Sequence, residues 1–398
     1  MSLTQTLAGP VAARERSLAP DLARGLMLAM IALANAVPYL YGRPYGVRQH
    51  IVEHSMVDRI VSVVQVTLVD ARAYPMFAAL FGYGVVQVLQ RQQAAGVEPQ
   101  DAKRLLRRRS RWLILFGFLH ALVLFPGDIL GLYGVVGFLL VAMTRVSDRA
   151  LLIAATAWLV VVSLVQGAVF MAPSTDGRSF FWSFETANPV EAMILRPIEW
   201  LVAPVGVLGV GSAILVGTWA ARRGVLADPA AHRPLLVRTA VLGLTAAAAG
   251  GLPVGLAVGR FWEPTSLAAQ WGTSALHAVT GVAGGLGYAA LIGLLAIRVG
   301  DRRGPVVLAI AAVGERSLSS YLFQSVVFVV LLTPYTFGLG GTLGTAEVAL
   351  VALGTWLVSV LVCDLLRRAG RRGPAEVALR RLTYRRARPA GRPGKMER

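Results

Sequence analysis

The chain has 398 residues, 56% of them hydrophobic and 15% charged, with a mean hydropathy of +0.62. Those values exclude an ordinary soluble domain. A formal charge of +18, carried between and after apolar runs, is explained by membrane topology, so no nucleic-acid partner is expected. One cysteine, Cys363, rules out an intrachain disulfide framework, and no zinc or Walker spacing occurs, so no metal is expected.

Apolar runs long enough to cross a layer of ~30 Å recur along the sequence. They predict an all-α fold, a polytopic membrane helix bundle of about ten transmembrane helices. The predicted spans are 22–40, 73–90, 110–126, 129–144, 150–171, 198–220, 235–258, 272–297, 306–332 and 346–366. Four regions follow: a cytoplasmic N-terminal segment 1–21, a core with polar motifs 22–144, the remaining bundle 145–366 and a basic cytoplasmic tail 367–398. Gly25 to Leu33 with Ala34-Asn35-Ala36 has the outline of a signal peptide. Asp21 and Arg24 sit badly in such a segment, so a retained first helix is expected. Residues 56–69 are also apolar but short. They read as an interfacial or re-entrant segment, or as the start of a long tilted helix.

With the N-terminus inside, the inner segments hold 30 Lys and Arg and the outer segments hold 5. Both termini are therefore expected in the cytoplasm, in a multi-pass protein of the inner (cytoplasmic) membrane. The outer loops 41–57 and 172–197, which hold aromatics, prolines, His50 and His54, are candidate lids.

Ionisable groups inside spans are expensive unless paired or hydrated, so each is a candidate site residue. In chain order, Asp21, Arg24 and Asn35 form one polar stripe on span 1. Asp70 and Arg72 open span 2. The run Arg107, Arg108, Arg109 and Arg111 precedes span 3, which carries His120 at mid-depth. Neutral imidazole tolerates a dry site and can move a proton near neutral pH. Asp128 occupies the tight turn before span 4, where an N-cap explains it as well as catalysis does, and Tyr133 follows. In span 9, Glu315 and Arg316 begin a series in which Arg316, Ser320 and Gln324 share one face. Glu199 and His277 are weaker candidates.

These motifs resemble the YeiB-like family of bacterial polytopic membrane proteins. The matching stretches are Asp21–Gly25 with Asn35, Arg72 to Gly84 ending LFGYG, the Arg107–Arg111 run, and Gly117-Phe118-Leu119-His120. They continue with Gly127–Leu130 and Tyr133, GERSLSSYLFQS from Gly314 to Ser325, Gly373-Pro374 with Glu376, and Leu382–Tyr384. Ser320 stands where the family usually has asparagine. The N-terminal half is in turn similar to transmembrane acyltransferases of the heparan glucosamine N-acetyltransferase type, through the D-x-x-R-G start, the later Asn, and Asp70, Pro75, Phe77 and Gly82. That resemblance implies acetyl-CoA or acyl-CoA as donor and a hydroxyl or amine acceptor on the other face. It also implies a histidine between the two elements, where His54, or less favourably His50, lies.

The leading expectation is thus a transmembrane acyltransferase acting on a small-molecule or envelope acceptor. His120 is the general base, Asp128 or Asp70 orients it or the acceptor, and Arg24 or Arg316 stabilises the oxyanion. Asp21, Asn35, Arg72, Tyr133, Glu315, Ser320 and Gln324 line the substrate path, and Arg107, Arg108, Arg109 and Arg111 dock the CoA phosphates. His54 is the second-choice catalytic residue. A transporter or permease, and a non-catalytic membrane scaffold, are the competing readings. The lipid bilayer and a second copy of the chain, as a homodimer, are the other expected partners.

Overall fold

The computed structural model describes residues 18–169, 179, 181–300 and 302–384. Residues 1–17 of the expected N-terminal segment, part of loop 172–197 and the end of the basic tail lie outside the described residues, and residues 18–21 belong to the first helix. Among the described residues the secondary structure is helical, apart from one antiparallel bridge between Tyr45 and Ile51.

Helix α1 (Leu18–Ala36) is the central rod, buried along most of its length. It packs on α3, α10, α11, α12 and α13. Its closest neighbour is α11 (Pro305–Glu315), and the approach depends on two glycines. A Cβ on Gly25 would overlap the carbonyl oxygen of Ile310, and one on Gly314 would overlap that of Asp21. In lipid, where there is no water to drive apolar burial, such close backbone contact supplies the packing energy.

Helices α2 (Met56–Leu68) and α3 (Ala73–Ala94) run on as one apolar element of 39 residues. Of the three readings of 56–69, the start of a long helix is therefore the one the chain adopts. The junction is held by Ala71, a non-glycine residue in the left-handed region at φ 59°. Helix α4 (Pro99–Val123) starts as a basic surface helix and ends as an apolar one, and α5 (Leu130–Ala142) returns from it after a tight turn. Helix α6 (Asp148–Val169) follows. Then come α7 (Pro189–Val202) and α8 (Gly209–Arg222), a pair bent by 63°. Helices α9 (Arg233–Val258) and α10 (Leu267–Val299) form the longest hairpin, closed by Gly243 against Gly287 and Ala283. Helix α12 (Ser317–Leu332) leaves α11 at 83°. Helix α13 (Thr345–Arg368) and the short amphipathic α14 (Pro374–Tyr384) complete the chain.

Among the described residues, six helices are long and apolar enough to cross a membrane, or eight if each bent pair counts as one span. The expected third and fourth spans correspond to α4 and α5. They fall outside that count because α4 carries the arginine run within its helix and α5 has only 13 residues.

Polar contacts tie the loops at both ends of the bundle. At the end holding the start of α1, called here the basic face, Arg108 Nε donates to Thr383 O at 2.5 Å. Arg222 bridges to Asp148 there at 3.2 Å. At the far face, Glu53 accepts from Thr345 N and Asp58 from Ala346 N, both at 2.8 Å, which caps α13. Replacing Gly25 by Val should push α1 off α11 and lower the thermal unfolding midpoint of the detergent-solubilised protein by several degrees. Differential scanning fluorimetry checks this, with Gly354→Val, where a Cβ meets nothing, as the control.

Candidate functional site

The turn between α4 and α5 is built around one carboxylate. Asp128 Oδ2 accepts from Gly131 N at 2.8 Å, capping α5 as its position in sequence suggests. Its other oxygen, Oδ1, lies 2.9 Å from His120 Nδ1, one turn before the end of α4. The far side of that ring meets α12: His120 Nε2 is 2.8 Å from Ser325 Oγ. A carboxylate only accepts, so Nδ1 carries the ring proton and Nε2 takes the serine's. All three side chains are buried, His120 at 3% exposure and Asp128 at 4%. Acid, imidazole and hydroxyl thus stand in series, the geometry by which a Ser–His–Asp arrangement is recognised on unrelated folds.

The surroundings hold this series in place. A Cβ on Gly117, one turn before His120, would collide with Gly131 N and the Asp128 carboxylate. The end of α4 is gripped by Arg196 from α7, whose Nη1 donates to Val123 O at 2.6 Å and whose Nη2 donates to Tyr335 Oη at 2.6 Å. Tyr321, one turn before Ser325, lays its ring 4.8 Å from the imidazole.

Asp128 also lines a cavity of about 150 Å³ in the far half of the bundle. Its opposite wall holds Arg48, His50, Gln65, Asp70 and Tyr74, and the break between α7 and α8 closes one side. Asp70 faces Arg48 Nε at 3.5 Å and His50 Nε2 at 3.8 Å. Burial pulls the Arg48 guanidinium below its ordinary pKa, against the attraction of Asp70. Gln65 Nε2 donates to Leu33 O at 2.8 Å, which fixes the amide and leaves the buried Oε1 without a partner among the described residues. Three of the four left-handed non-glycine residues among the described residues, Arg48, Gln49 and Ala71, flank this wall. Strain of that kind costs of order 1 kcal/mol per residue and gathers at functional sites.

The expected site residues divide between two ends of the bundle. Asp70 and Asp128 share the cavity, and His120 stands behind Asp128. Asn35 joins them by accepting from Tyr74 Oη at 2.6 Å. Arg72 is fully buried beside the cavity wall, donating to Asp70 O at 2.6 Å and to Ala247 O at 2.7 Å, with His277 Nδ1 at 3.0 Å. Tyr133 stacks on Phe81 at 4.7 Å, and its hydroxyl has no partner among the described residues. His50 lines the cavity, whereas His54 is exposed and does not.

Arg24 is absent from the cavity. It pairs with Asp21 at 3.1 Å near the basic face, and the eleven residues to Asn35 amount to ~16 Å of helix rise. Glu315 and Arg316, paired at 3.3 Å, sit at the α11–α12 break, where Arg316 Nη2 donates to Arg371 O at 2.7 Å. Ser320 Oγ touches Cys363 Sγ at 3.3 Å, and Gln324 Nε2 donates to Leu28 O at 3.2 Å. Of the arginine run, Arg107 and Arg111 are exposed, Arg108 is engaged by Thr383, and Arg109 lies 6.0 Å over the Phe81 ring. Glu199 accepts from Ser183 N at 2.9 Å and Ser183 Oγ at 2.6 Å, holding the loop beside the cavity. Neither Ser325 nor Arg196 is among the site residues expected from the sequence. Ser325 closes a quoted motif one residue after Gln324, and its four-residue spacing from Tyr321 was the available signal. Among the described residues no cluster of His, Cys, Asp and Glu could hold a metal ion.

Fold and site together define a multi-pass helical membrane protein with a buried acid–imidazole–hydroxyl series. Residues 220–386 match the family described as "Protein of unknown function (DUF418)". The chain is 24% identical to the uncharacterized protein YxaH of Bacillus subtilis (strain 168), over 94% of this chain and 96% of that one. It is 26% identical to the uncharacterized protein YeiB of Escherichia coli (strain K12), over 79% and 82% of the two chains. A third relative, an uncharacterized 39.9 kDa protein in the amylase 3' region of Bacillus acidopullulyticus, is 30% identical over 41% of this chain and 44% of its own. The YeiB-like resemblance read from the motifs is borne out by these matches. The further likeness to acyltransferases is not, because none of these names carries that activity.

Asp128 both caps α5 and holds His120, and two substitutions separate these duties from bulk packing. Asp128→Ala should cost about 2–4 kcal/mol, because Gly131 N and His120 Nδ1 both lose their acceptor in a dry site. Asp128→Asn, which keeps an acceptor oxygen, should cost less than half as much. Chemical unfolding in detergent micelles gives the comparison.

Proposed function

We propose that this protein is an acyl-CoA-dependent transmembrane acyltransferase working through a covalent intermediate on Ser325. The observation that carries the reading is the series Asp128–His120–Ser325, with links of 2.9 and 2.8 Å. His120 Nε2 takes the Ser325 proton as Oγ attacks the thioester carbonyl. The C–O bond forms, the C–S bond breaks, and the proton leaves with the CoA thiolate. An acceptor hydroxyl or amine then attacks the serine ester, His120 takes its proton, and that proton returns to Ser325 Oγ. Asp128 keeps the ring in the required tautomer and stabilises the imidazolium. The acceptor enters from the far-face cavity, where Gln65 Oε1, Asp70 and Asp128 offer acceptor oxygens to its N–H or O–H groups.

In this reading the basic face is cytoplasmic, as are both termini, and α4 and α5 complete a count of about ten spans in the inner membrane. The 30-to-5 distribution of Lys and Arg supports that orientation. The exposed Arg107 and Arg111 then meet the CoA phosphates where the donor arrives.

Purified protein in proteoliposomes with acetyl-CoA should release free thiol and acylate Ser325, detected as an acetylated peptide by mass spectrometry. Ser325→Ala and His120→Ala should each lower the rate by roughly 10²–10⁴-fold without loss of folded protein. An acetyl group found on another residue, or undiminished turnover in Ser325→Ala, would remove the serine from the mechanism. Replacing Arg107 and Arg111 together by Gln should raise KM for acetyl-CoA about tenfold and leave kcat nearly unchanged.

One observation favours a second reading, solute transport. The bent pairs α7–α8 and α11–α12 are broken helices of the kind that surround substrate sites in transporters. Uptake of a labelled solute into proteoliposomes without CoA would support that alternative.

A further inference from the structure

The hairpin α9–α10 is closed by small residues along its middle, but at the basic face it opens on its outer side. A groove of about 390 Å³ lies there, lined by Arg233 and Val237 of α9 and by Leu294, Leu295, Ile297 and Arg298 of α10. Both arginines are exposed, and neither guanidinium has an ion pair or hydrogen bond among the described residues. Arg233 is also the first residue of α9. The four other walls are aliphatic, with Val237 37% and Leu295 40% exposed on a surface that faces hydrocarbon in a membrane.

We propose that this groove is a binding site for an anionic phospholipid of the leaflet at the basic face. The two guanidiniums take the phosphate, since their planar donors suit a phosphodiester. Val237, Leu294, Leu295 and Ile297 take the upper part of the acyl chains. A free phosphate would use the two charges but leave the aliphatic walls bare. A zwitterionic lipid would bring a cation to a rim where, among the described residues, no carboxylate lines the groove. Charge and walls together therefore select a lipid with net negative headgroup charge. The site lies far from Asp128, His120 and Ser325 in the sequence and does not depend on the chemistry proposed for them.

The test uses the full-length protein in a neutral detergent with added phosphatidylglycerol, phosphatidylcholine or glycerol phosphate at equal concentration. Native mass spectrometry counts retained lipid and thermal shift reads stabilisation. Phosphatidylglycerol should be retained and should stabilise. In Arg233→Gln/Arg298→Gln its apparent affinity should fall by about tenfold or more. A second double variant, Arg380→Gln/Arg381→Gln, removes two exposed charges from α14 at the same face and should keep wild-type affinity. Equal effects of phosphatidylglycerol and phosphatidylcholine would overturn the proposal, as would equal losses in the two double variants. Stabilisation by glycerol phosphate matching that by phosphatidylglycerol would show a soluble-anion site in its place.

Discussion

A polar group inside a membrane must find its partners within the chain, because hydrocarbon offers none. The bundle is arranged around that constraint. Arg72 spends its donors on the carbonyls of Asp70 and Ala247 and on His277, and Arg196 spends its own on the end of α4. These contacts satisfy a carbonyl at the α2–α3 junction and one in the last turn of α4, in places where an unpaired carbonyl would cost several kcal/mol. Asp128 serves both ends of its turn with one carboxylate. The buried polar groups thereby fix the relative position of α3, α4, α5, α7, α10 and α12, and the cavity is the space they leave.

The glycines act alongside them. Gly117 lets the α4–α5 turn come close enough for Asp128 to reach His120, and Gly25 and Gly314 seat α11 on α1. Without these approaches the donors and acceptors above would be separated by a methyl group's width, enough to lose a hydrogen bond.

What the sequence made legible follows from the same physics. Apolar runs reveal helices, and the cost of burying charge singles out His120, Asp128, Asp70 and Arg72, all of which the fold gathers in the far half of the bundle. Depth was harder to read. Arg24 and Asn35 share a helical face, but a shared face says nothing about height, and they fall near opposite ends of α1. The serine that meets His120 was hidden for another reason. A lone hydroxyl inside an apolar helix costs little, so Ser325 carries no signature of its own, and only its long-range contact with His120 gives it one. The spans at 110–126 and 129–144 illustrate a third limit. Hydropathy averages over a window, and the arginines inside α4 together with the shortness of α5 blur what that average means.

The beginning of α12 is completed by a residue far downstream. Glu376 on α14 accepts from Leu318 N at 2.8 Å, from Ser319 N at 3.1 Å and from Ser319 Oγ at 2.5 Å. These amides lie beside the break with α11, and their acceptor is translated only after α13 has been made. During synthesis, then, the helix that bears Ser325 lacks this acceptor until the segment after α13 has left the ribosome. The latch closes after the helices it serves are made, and a chain stopped between α13 and that carboxylate would carry α11 and α12 yet lack the stitch that locks the bent pair.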